Sequence, residues 1–402
     1  MVAGLATADS ITNPDQMFAN AGINLIKARA THVDTSKKEV ELSDGGKIPY
    51  DKLILATGAS QVVPLIEGRD LDGVFTIRTV PDAEKIMDFL KETEAKKLVF
   101  IGAGFISLEM ATLLSASRPD YYDIEVVGRR PRPLPFMLDP DMAVKVEEYL
   151  VEKGLRMKMG EEVKKILGRD GRVSGVEFAT GETADADMVV IGVGARANLE
   201  LAKEMGLDVG KFGIKVNKFL ETSNPDILAA GDCVEKTHFV TKKPVGGQIR
   251  GPAVIQGRLA AKRVAGYEIE FPGVLNSTIV KLFDKTIAGT GLTETQAQDE
   301  EFETVSAVVN SRSKHGMILG TKPWTIKLVF DKGTQRLIGG QILSDSQAPA
   351  KEIDTVSALI LGGKTIADLT TFMCAGHPDC SSEPSLEPIA IAAEQALQKL
   401  KK

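Results

Sequence analysis

The stretch from Lys97 to Ser115 restricts this chain more than any other. It reads Leu98-Val99-Phe100-Ile101, then Gly102-Ala103-Gly104-Phe105-Ile106-Ser107, then Leu108-Glu109-Met110-Ala111-Thr112-Leu113-Leu114. A short apolar run of β-branched and aromatic type passes through two glycines into apolar residues at helical spacing, a pattern that predicts strand, tight turn and helix. Such a unit is a dinucleotide cradle. Gly102 permits the turn, and Gly104 lets backbone approach a pyrophosphate. The helix that follows aims its unpaired N–H groups and positive dipole end at the phosphates. Ser107 takes the third position, where a small residue allows close helix–strand packing. Glycine turns between strand and helix also occur without any ligand, so the weight of this pattern rests on its flanks.

The strand predicted after the cradle, Asp123-Ile124-Glu125-Val126-Val127, runs into Gly128-Arg129-Arg130. In a nicotinamide-binding unit the end of this strand meets the adenine ribose. An acidic residue there suits the free hydroxyls of NAD, whereas arginine pairs with the extra phosphate of NADP. Arg129 and Arg130 favour NADP(H), and the other reading of the same residues is a solvated basic turn. Two further buried strands end in small residues: Tyr50 to Ala59, closing in Ala56-Thr57-Gly58-Ala59, and Met188 to Gly194, closing in Gly192-Val193-Gly194. A third, Asp226-Ile227-Leu228-Ala229-Ala230-Gly231-Asp232, ends in an acid able to accept hydrogen bonds from ligand hydroxyls. Gly251-Pro252-Ala253 opens a helix to about residue 264, with proline suited to its first turn. Near the N-terminus a short helix is expected at 16–21 and strands at 23–30 and 39–42. Helices are expected at 81–92 and 141–153, and short strands with turns between 154 and 188.

At 402 residues the chain is too long for one core and suggests two or three domains. A net charge of −6 without any basic stripe argues against nucleic acid as a partner. No apolar run approaches a membrane span, and the N-terminus resembles neither a signal nor a transit peptide. Three cysteines fit a reducing compartment better than a disulfide framework, so a cytoplasmic protein is expected.

The segments at 50–59, 100–111, 188–198 and 224–233 occur in an order and spacing that resembles the flavin-dependent pyridine nucleotide-disulfide oxidoreductases. The likeness covers nearly the whole chain and is strongest to the NADH oxidase, NADH peroxidase and coenzyme A-disulfide reductase branch. It implies an α/β architecture of two Rossmann-like three-layer domains, for FAD and NAD(P)H, followed by an α+β dimerisation domain that makes a homodimer. The expected boundaries are 1–94 and 213–273 for the split FAD domain, 95–212 for the NAD(P)H domain and 274–402 for the dimerisation domain. By the same resemblance Ala56, Thr57 and Gly58 close over FAD, Asp232 holds its ribitol chain, and the helix near Ala253 points at the flavin pyrimidine. Phe105 matches an aromatic gate over the isoalloxazine ring, and Glu109 an acid that orients the nicotinamide. Gly102, Ala103, Gly104, Ile106, Gly192, Gly194 and Gly231 complete the cofactor-binding set. On the residues alone, Phe105 also reads as core and Glu109 as a solvated helix face.

The family begins with its own Gly-rich FAD unit and a redox cysteine, and neither occurs here, so the FAD domain is expected to be N-terminally truncated. In the last domain, strands are expected at 279–283, 305–310, 325–330 and 336–342, and helices at 348–361 and 387–400. Between those helices, His377-Pro378 followed by Glu383 resembles the place where disulfide reductases carry an acid/base histidine across the dimer interface. A structural loop histidine is the alternative. Cys374 and Cys380 read as a redox dithiol, as metal ligands with His377, or as unreactive thiols, and no metal site is expected; Cys233 reads as packing. The resulting expectation is a flavoprotein that passes a hydride from NAD(P)H to FAD and on to a small-molecule disulfide, persulfide, polysulfide or oxygen acceptor. The alternative is a catalytically impaired NADP(H)-binding sensor or dimeric scaffold without tightly bound flavin.

Overall fold

In the computed structural model, which describes residues 1–401, the 97–115 stretch forms the expected strand and helix, Lys97–Ile101 and Phe105–Ser117. The strand is the centre of a five-stranded parallel sheet, in the order Val74–Phe75, Met188–Ile191, Lys97–Ile101, Asp123–Gly128, Arg156–Met159. Its apolar run is unbroken because both faces are covered. Leu98 and Phe100 point with Ile124, Val126 and Val190 towards the helices Val80–Thr93, Phe105–Ser117 and Pro140–Glu152. Val99 and Ile101 point the other way, with Val127 and Val189, onto Val173, Val176 and Phe178. That second face is covered by an antiparallel sheet, Val163–Arg169, Arg172–Phe178 and Thr183–Asp185, so the three layers are helix, parallel sheet and antiparallel sheet.

The remainder of the N-terminal half is slighter. Leu53–Leu55 and Ile227–Ala229 pair in parallel as a two-stranded sheet beside a three-stranded antiparallel sheet, Ala30–Asp34, Glu39–Leu42 and Lys47–Pro49. The strand expected at 23–30 is not formed: Ile23, Leu25 and Ile26 are about half exposed and strand pairing starts at Ala30, because no neighbouring segment offers the earlier residues a ladder. The helix Arg250–Val264 begins one residue before Gly251 and carries Pro252 third, within its first turn as expected.

The C-terminal domain is a five-stranded antiparallel sheet ordered Thr278–Leu282, Lys285–Gly291, Leu337–Ser344, Pro323–Asp331, Thr304–Arg312. The Lys285–Gly291 strand, with two glycines, carries no pattern that sequence reading detected. The helix expected at 348–361 is broken at Glu352 into Gln347–Lys351 and Ile353–Leu361. That second piece and Pro388–Leu400 pack over the sheet around Ile326, Leu328, Phe330 and Ile342. Val280, Leu282 and Ile287 belong instead to the core that contains the cradle helix, so this domain and the nucleotide unit share packing.

Candidate functional site

The cradle sits where strand order reverses, at the C-terminal ends of Lys97–Ile101 and Met188–Ile191, the place where open parallel sheets bind ligands. Gly102 has φ +109, and a Cβ on it would stand 2.4 Å from the carbonyl oxygen of Gly192, so backbone meets backbone here. Gly192 has the same constraint from the helix side, since a Cβ there would meet Ser107 Oγ at 2.1 Å. Ser107 is buried and its hydroxyl has no partner. Gly104 starts the 13-residue cradle helix in extended conformation, with no side-chain cap and nothing within 4 Å of where its Cβ would be. The amides of Phe105, Ile106 and Ser107 are therefore free to receive an anion.

Phe105 is half-buried against the core, Ile106 is exposed, and Glu109 follows Phe105 by one turn on the same helix face. Burial pushes the Glu109 carboxyl up from its ordinary value, partly offset by the Lys281 amide. At the end of the next strand Gly128 is buried against Ala103, its missing Cβ 3.1 Å from the alanine methyl. Arg129 and Arg130 are exposed and, among the described residues, enter no ion pair, whereas Arg132 pairs with Glu147 at 2.9 Å.

The second cluster lies between the two-stranded sheet and the nucleotide unit. Gly58 has φ +68, and the turn before it is tied to Asn198: Thr57 Oγ1 donates to Asn198 O at 2.9 Å, Asn198 Nδ2 to Thr57 O at 2.8 Å and Asn198 N to Gly58 O at 3.0 Å. Gly231, φ +87, donates its N–H to Gln256 Oε1 at 2.9 Å, and a Cβ on it would stand 3.8 Å from that of Ala253. Gln256 is fully buried and its Nε2 has no partner. Arg78 Nη2 donates to Asp232 Oδ2 at 2.5 Å. Lys236, buried beside them, donates to Gly231 O at 3.0 Å; burial lowers its pKa, with the Asp232 charge opposing. Gly194, φ +118, is open on its Cβ side. Asn198, Arg78 and Gln256 were not anticipated. The asparagine closing 188–198 was a usable signal, whereas Arg78 lies more than 150 residues from its partner and leaves none.

These residues fit two cofactors to different extents. The open Gly104, the uncapped helix and the Gly102–Gly192 approach form a cradle for a dinucleotide pyrophosphate. The orphaned Gln256 amide, the uncapped 15-residue helix from Arg250 and the Arg78–Asp232 pair suit the flavin and ribityl end of FAD. A second strand–Gly-x-Gly–helix unit for the FAD pyrophosphate is absent among the described residues.

His377 stands apart from both clusters, on an exposed loop of the C-terminal domain. Its Nδ1 accepts from the Asp379 N–H at 3.2 Å, which leaves Nε2–H unengaged. Glu383 does not pair with it: Glu383 Oε2 lies 3.5 Å from His315 Nε2. The cause is a second loop. His315 N donates to Pro378 O at 2.9 Å, Lys314 pairs with Asp379 at 2.5 Å and Ser382 Oγ donates to Arg312 O at 2.7 Å, drawing Glu383 towards His315. Cys374 and Cys380 are exposed free thiols, and among the described residues no group of three His, Cys, Asp or Glu is placed to hold a metal. Cys233 is buried, with Sγ directed at Ala230 O.

Comparison with known proteins matches residues 6–256 to a family described as pyridine nucleotide-disulphide oxidoreductase and residues 277–387 to the dimerisation domain of the same name. A NADH oxidase of Methanocaldococcus jannaschii is 38% identical over 98% of this chain and 83% of its own length. A CoA-dependent NAD(P)H sulfur oxidoreductase of Pyrococcus furiosus is 34% identical over 98% of this chain and 88% of its own. Among solved structures, a NAD-dependent persulfide reductase from A. fulgidus superposes with a TM-score of 0.93 at 34% identity, over all of this chain and 75% of that one.

Proposed function

Because the chain belongs to the pyridine nucleotide-disulphide oxidoreductases, we propose that it oxidises NADPH and delivers the two electrons to a disulfide or persulfide, with dioxygen as the competing acceptor. It is an FAD-dependent NAD(P)H oxidoreductase. The observation that carries the donor half is the open, uncapped cradle at Gly102–Gly104 with two unpaired arginines beside it. FAD, when bound, supplies the two-electron relay between nicotinamide and acceptor.

The chain's own residues then divide the work. The amides after Gly104 bind the NADPH pyrophosphate, while Arg129 and Arg130 bind the 2′-phosphate with charge-assisted hydrogen bonds. Phe105, half-buried beside the cradle, would shield the flavin ring when nicotinamide is absent. Glu109, with its carboxyl shifted towards the protonated form by burial, holds the nicotinamide amide in register. Arg78 and Asp232 would hold the ribityl hydroxyls, and the uncapped N-terminus of the helix from Arg250 would stabilise negative charge on the flavin. His377, with Nε2–H free and apart from both clusters of its own chain, would donate the proton that a leaving thiolate needs across the pairing of two copies. One hydride and one proton convert a disulfide into two thiols. The C-terminal domain suits pairing with a second copy of this chain, and three thiols without a disulfide suit the cytoplasm.

The test is the visible spectrum of the purified chain, supplied with FAD, before and after anaerobic NADPH. A flavin band that bleaches, and returns on adding a disulfide or persulfide, supports the reading. A chain that binds NADPH but takes up no flavin overturns it in favour of a nucleotide-binding sensor.

A further inference from the structure

Asp139 does something its position in the sequence does not announce. It occupies the N-cap position of the Pro140–Glu152 helix, where an aspartate ordinarily accepts from its own helix, yet it makes no such bond. Its carboxylate instead crosses into the C-terminal domain. Oδ2 accepts from Glu294 N at 3.0 Å, Oδ1 from Thr295 N at 3.0 Å and Thr295 Oγ1 at 3.1 Å, and Gln341 Nε2 donates at 2.6 Å. Lys327 Nζ lies 3.2 Å away, itself shared with Asp141 and Glu294 at 3.0 Å each. Asp139 and Lys327 are both almost completely buried. Burial alone would raise the Asp139 carboxyl, but the two amides, Gln341 and Lys327 together hold it below the usual range.

The same aspartate ends the loop that begins with Arg129 and Arg130. Four ties fix that loop. Arg130 O accepts from Gly160 N at 3.0 Å, and Leu134 donates its N–H to Ala103 O, inside the cradle, at 3.0 Å. Arg132 is held by Glu147. The fourth tie is Asp139, supported by Met137, whose carbonyl oxygen lies 2.8 Å from where a Cβ on Gly289 would stand. Only this last one is made outside the nucleotide unit.

We infer that Asp139 is a positioning residue for nucleotide choice: by seating the 129–139 loop on the C-terminal domain it sets where Arg129 and Arg130 stand, and so sets the preference for a 2′-phosphorylated dinucleotide. This rests on the assignment of those arginines to the 2′-phosphate under the proposed function. It makes cofactor preference a property of two domains, with Lys327, about 190 residues further along, as part of the device.

The test is calorimetric binding of NADP⁺ and NAD⁺ to the full chain, which needs neither flavin nor turnover. In Asp139→Asn and Lys327→Met, NADP⁺ affinity is expected to fall about tenfold with NAD⁺ affinity within about twofold, and Lys327→Arg is expected to restore the native ratio. Thr295→Val, which removes one donor and no charge, is expected to shift the ratio about twofold and serves if the charge variants do not fold. Equal losses for both nucleotides, or an unchanged ratio in the folded variants, overturn the inference. The Arg129→Ala/Arg130→Ala double variant separates the two claims. A ratio lost there but kept in Asp139→Asn overturns only the positioning role; a ratio kept in the double variant removes the 2′-phosphate assignment and the inference with it.

Discussion

The five-stranded sheet around the cradle and the two-stranded sheet behind Asp232 use the same local pattern with unequal support. In both, a parallel strand ends in small residues: Gly102 after Ile101, and Gly231 two residues after Ala229. The first has helices on one face, an antiparallel sheet on the other, and strands buried almost end to end. The second consists of three residues on each strand, leaves Ile54 38% exposed and is flanked by exposed Val254 and Ile255. What orders the second region comes largely from the first: Asn198 holds the Thr57–Gly58 turn, the strand Ala195–Ala197 pairs with Ala59–Gln61, and Arg78 holds Asp232. The better-supported unit around the cradle thus orders the slighter one behind Asp232, and substitutions in the two regions are expected to cost unequal amounts.

The largest difference is expected between two glycines that share left-handed backbone. Gly102→Ala places a methyl 2.4 Å from a backbone oxygen that cannot yield, at φ +109. It is expected to cost about 3 kcal/mol or more and to abolish nucleotide binding. Gly58→Ala, at φ +68 with nothing within 4 Å, meets only the intrinsic penalty, about 1 kcal/mol. Denaturant unfolding of both variants measures this, and equal losses would mean that the cradle is no tighter than the dependent turn.

Next in size is Asp232→Ala. Removing the acceptor of a charge-assisted bond with Arg78 is expected to weaken flavin binding at least about tenfold, read as bound flavin per chain, while NADP⁺ affinity by calorimetry stays within about twofold. A parallel fall in NADP⁺ affinity would show that the two regions are not separable. Asn198→Ala comes third. It removes the Nδ2 bond to Thr57 O and the Ser60 Oγ bond to Oδ1, a loss of about 1–2 kcal/mol. Hydrogen exchange should quicken in the 55–61 amides and not in 97–101. Quickening in both would place the tie inside the nucleotide unit rather than between the units.

The same contrast explains what sequence revealed. The 97–115 stretch was legible because its strand is buried on both faces and its helix, apolar nearly all round, follows within a few residues, so local pattern and tertiary role agree. The family resemblance added the flavin-side residues, and the structure brings Gly231, Asp232 and Ala253 together. Residues 23–30 misled because apolar character without a partner strand makes no ladder. Arg78, Asn198 and Asp139 act on elements remote in sequence, and an N-cap aspartate that turns to another domain looks identical, in sequence, to one that caps its own helix. Glu383 turns to His315 for the same reason, through a loop roughly 65 to 70 residues away.

The smallest expected effect, a pair of opposite pH slopes, sharpens the comparison most. Each region carries a titratable group, half-buried in one and buried in the other, whose folded pKa departs from its ordinary value. In the nucleotide unit, burial raises Glu109 above 4.5. The folded chain then binds the proton more tightly than the unfolded chain does, so the group's contribution to stability is best below 4.5 and declines as pH rises through the raised value. On the flavin side His238 is buried, with Nδ1 accepting from the amides of Val240 and Thr241 at 3.3 and 3.4 Å, and burial lowers its pKa below 6.5. Protonation there would set a cation against two donors. Its contribution is complete above 6.5 and is lost as pH falls through the lowered value. Melting temperatures across this range should therefore respond in opposite senses to two substitutions. Glu109→Gln should stabilise the chain on the alkaline side of its window and leave the acid side unchanged. His238→Asn should flatten the acid-side loss. If Glu109→Gln flattens the acid limb as well, the two groups titrate as one coupled system, and the flavin-side unit is held by the nucleotide unit more tightly than the exposed edges of its sheet suggest.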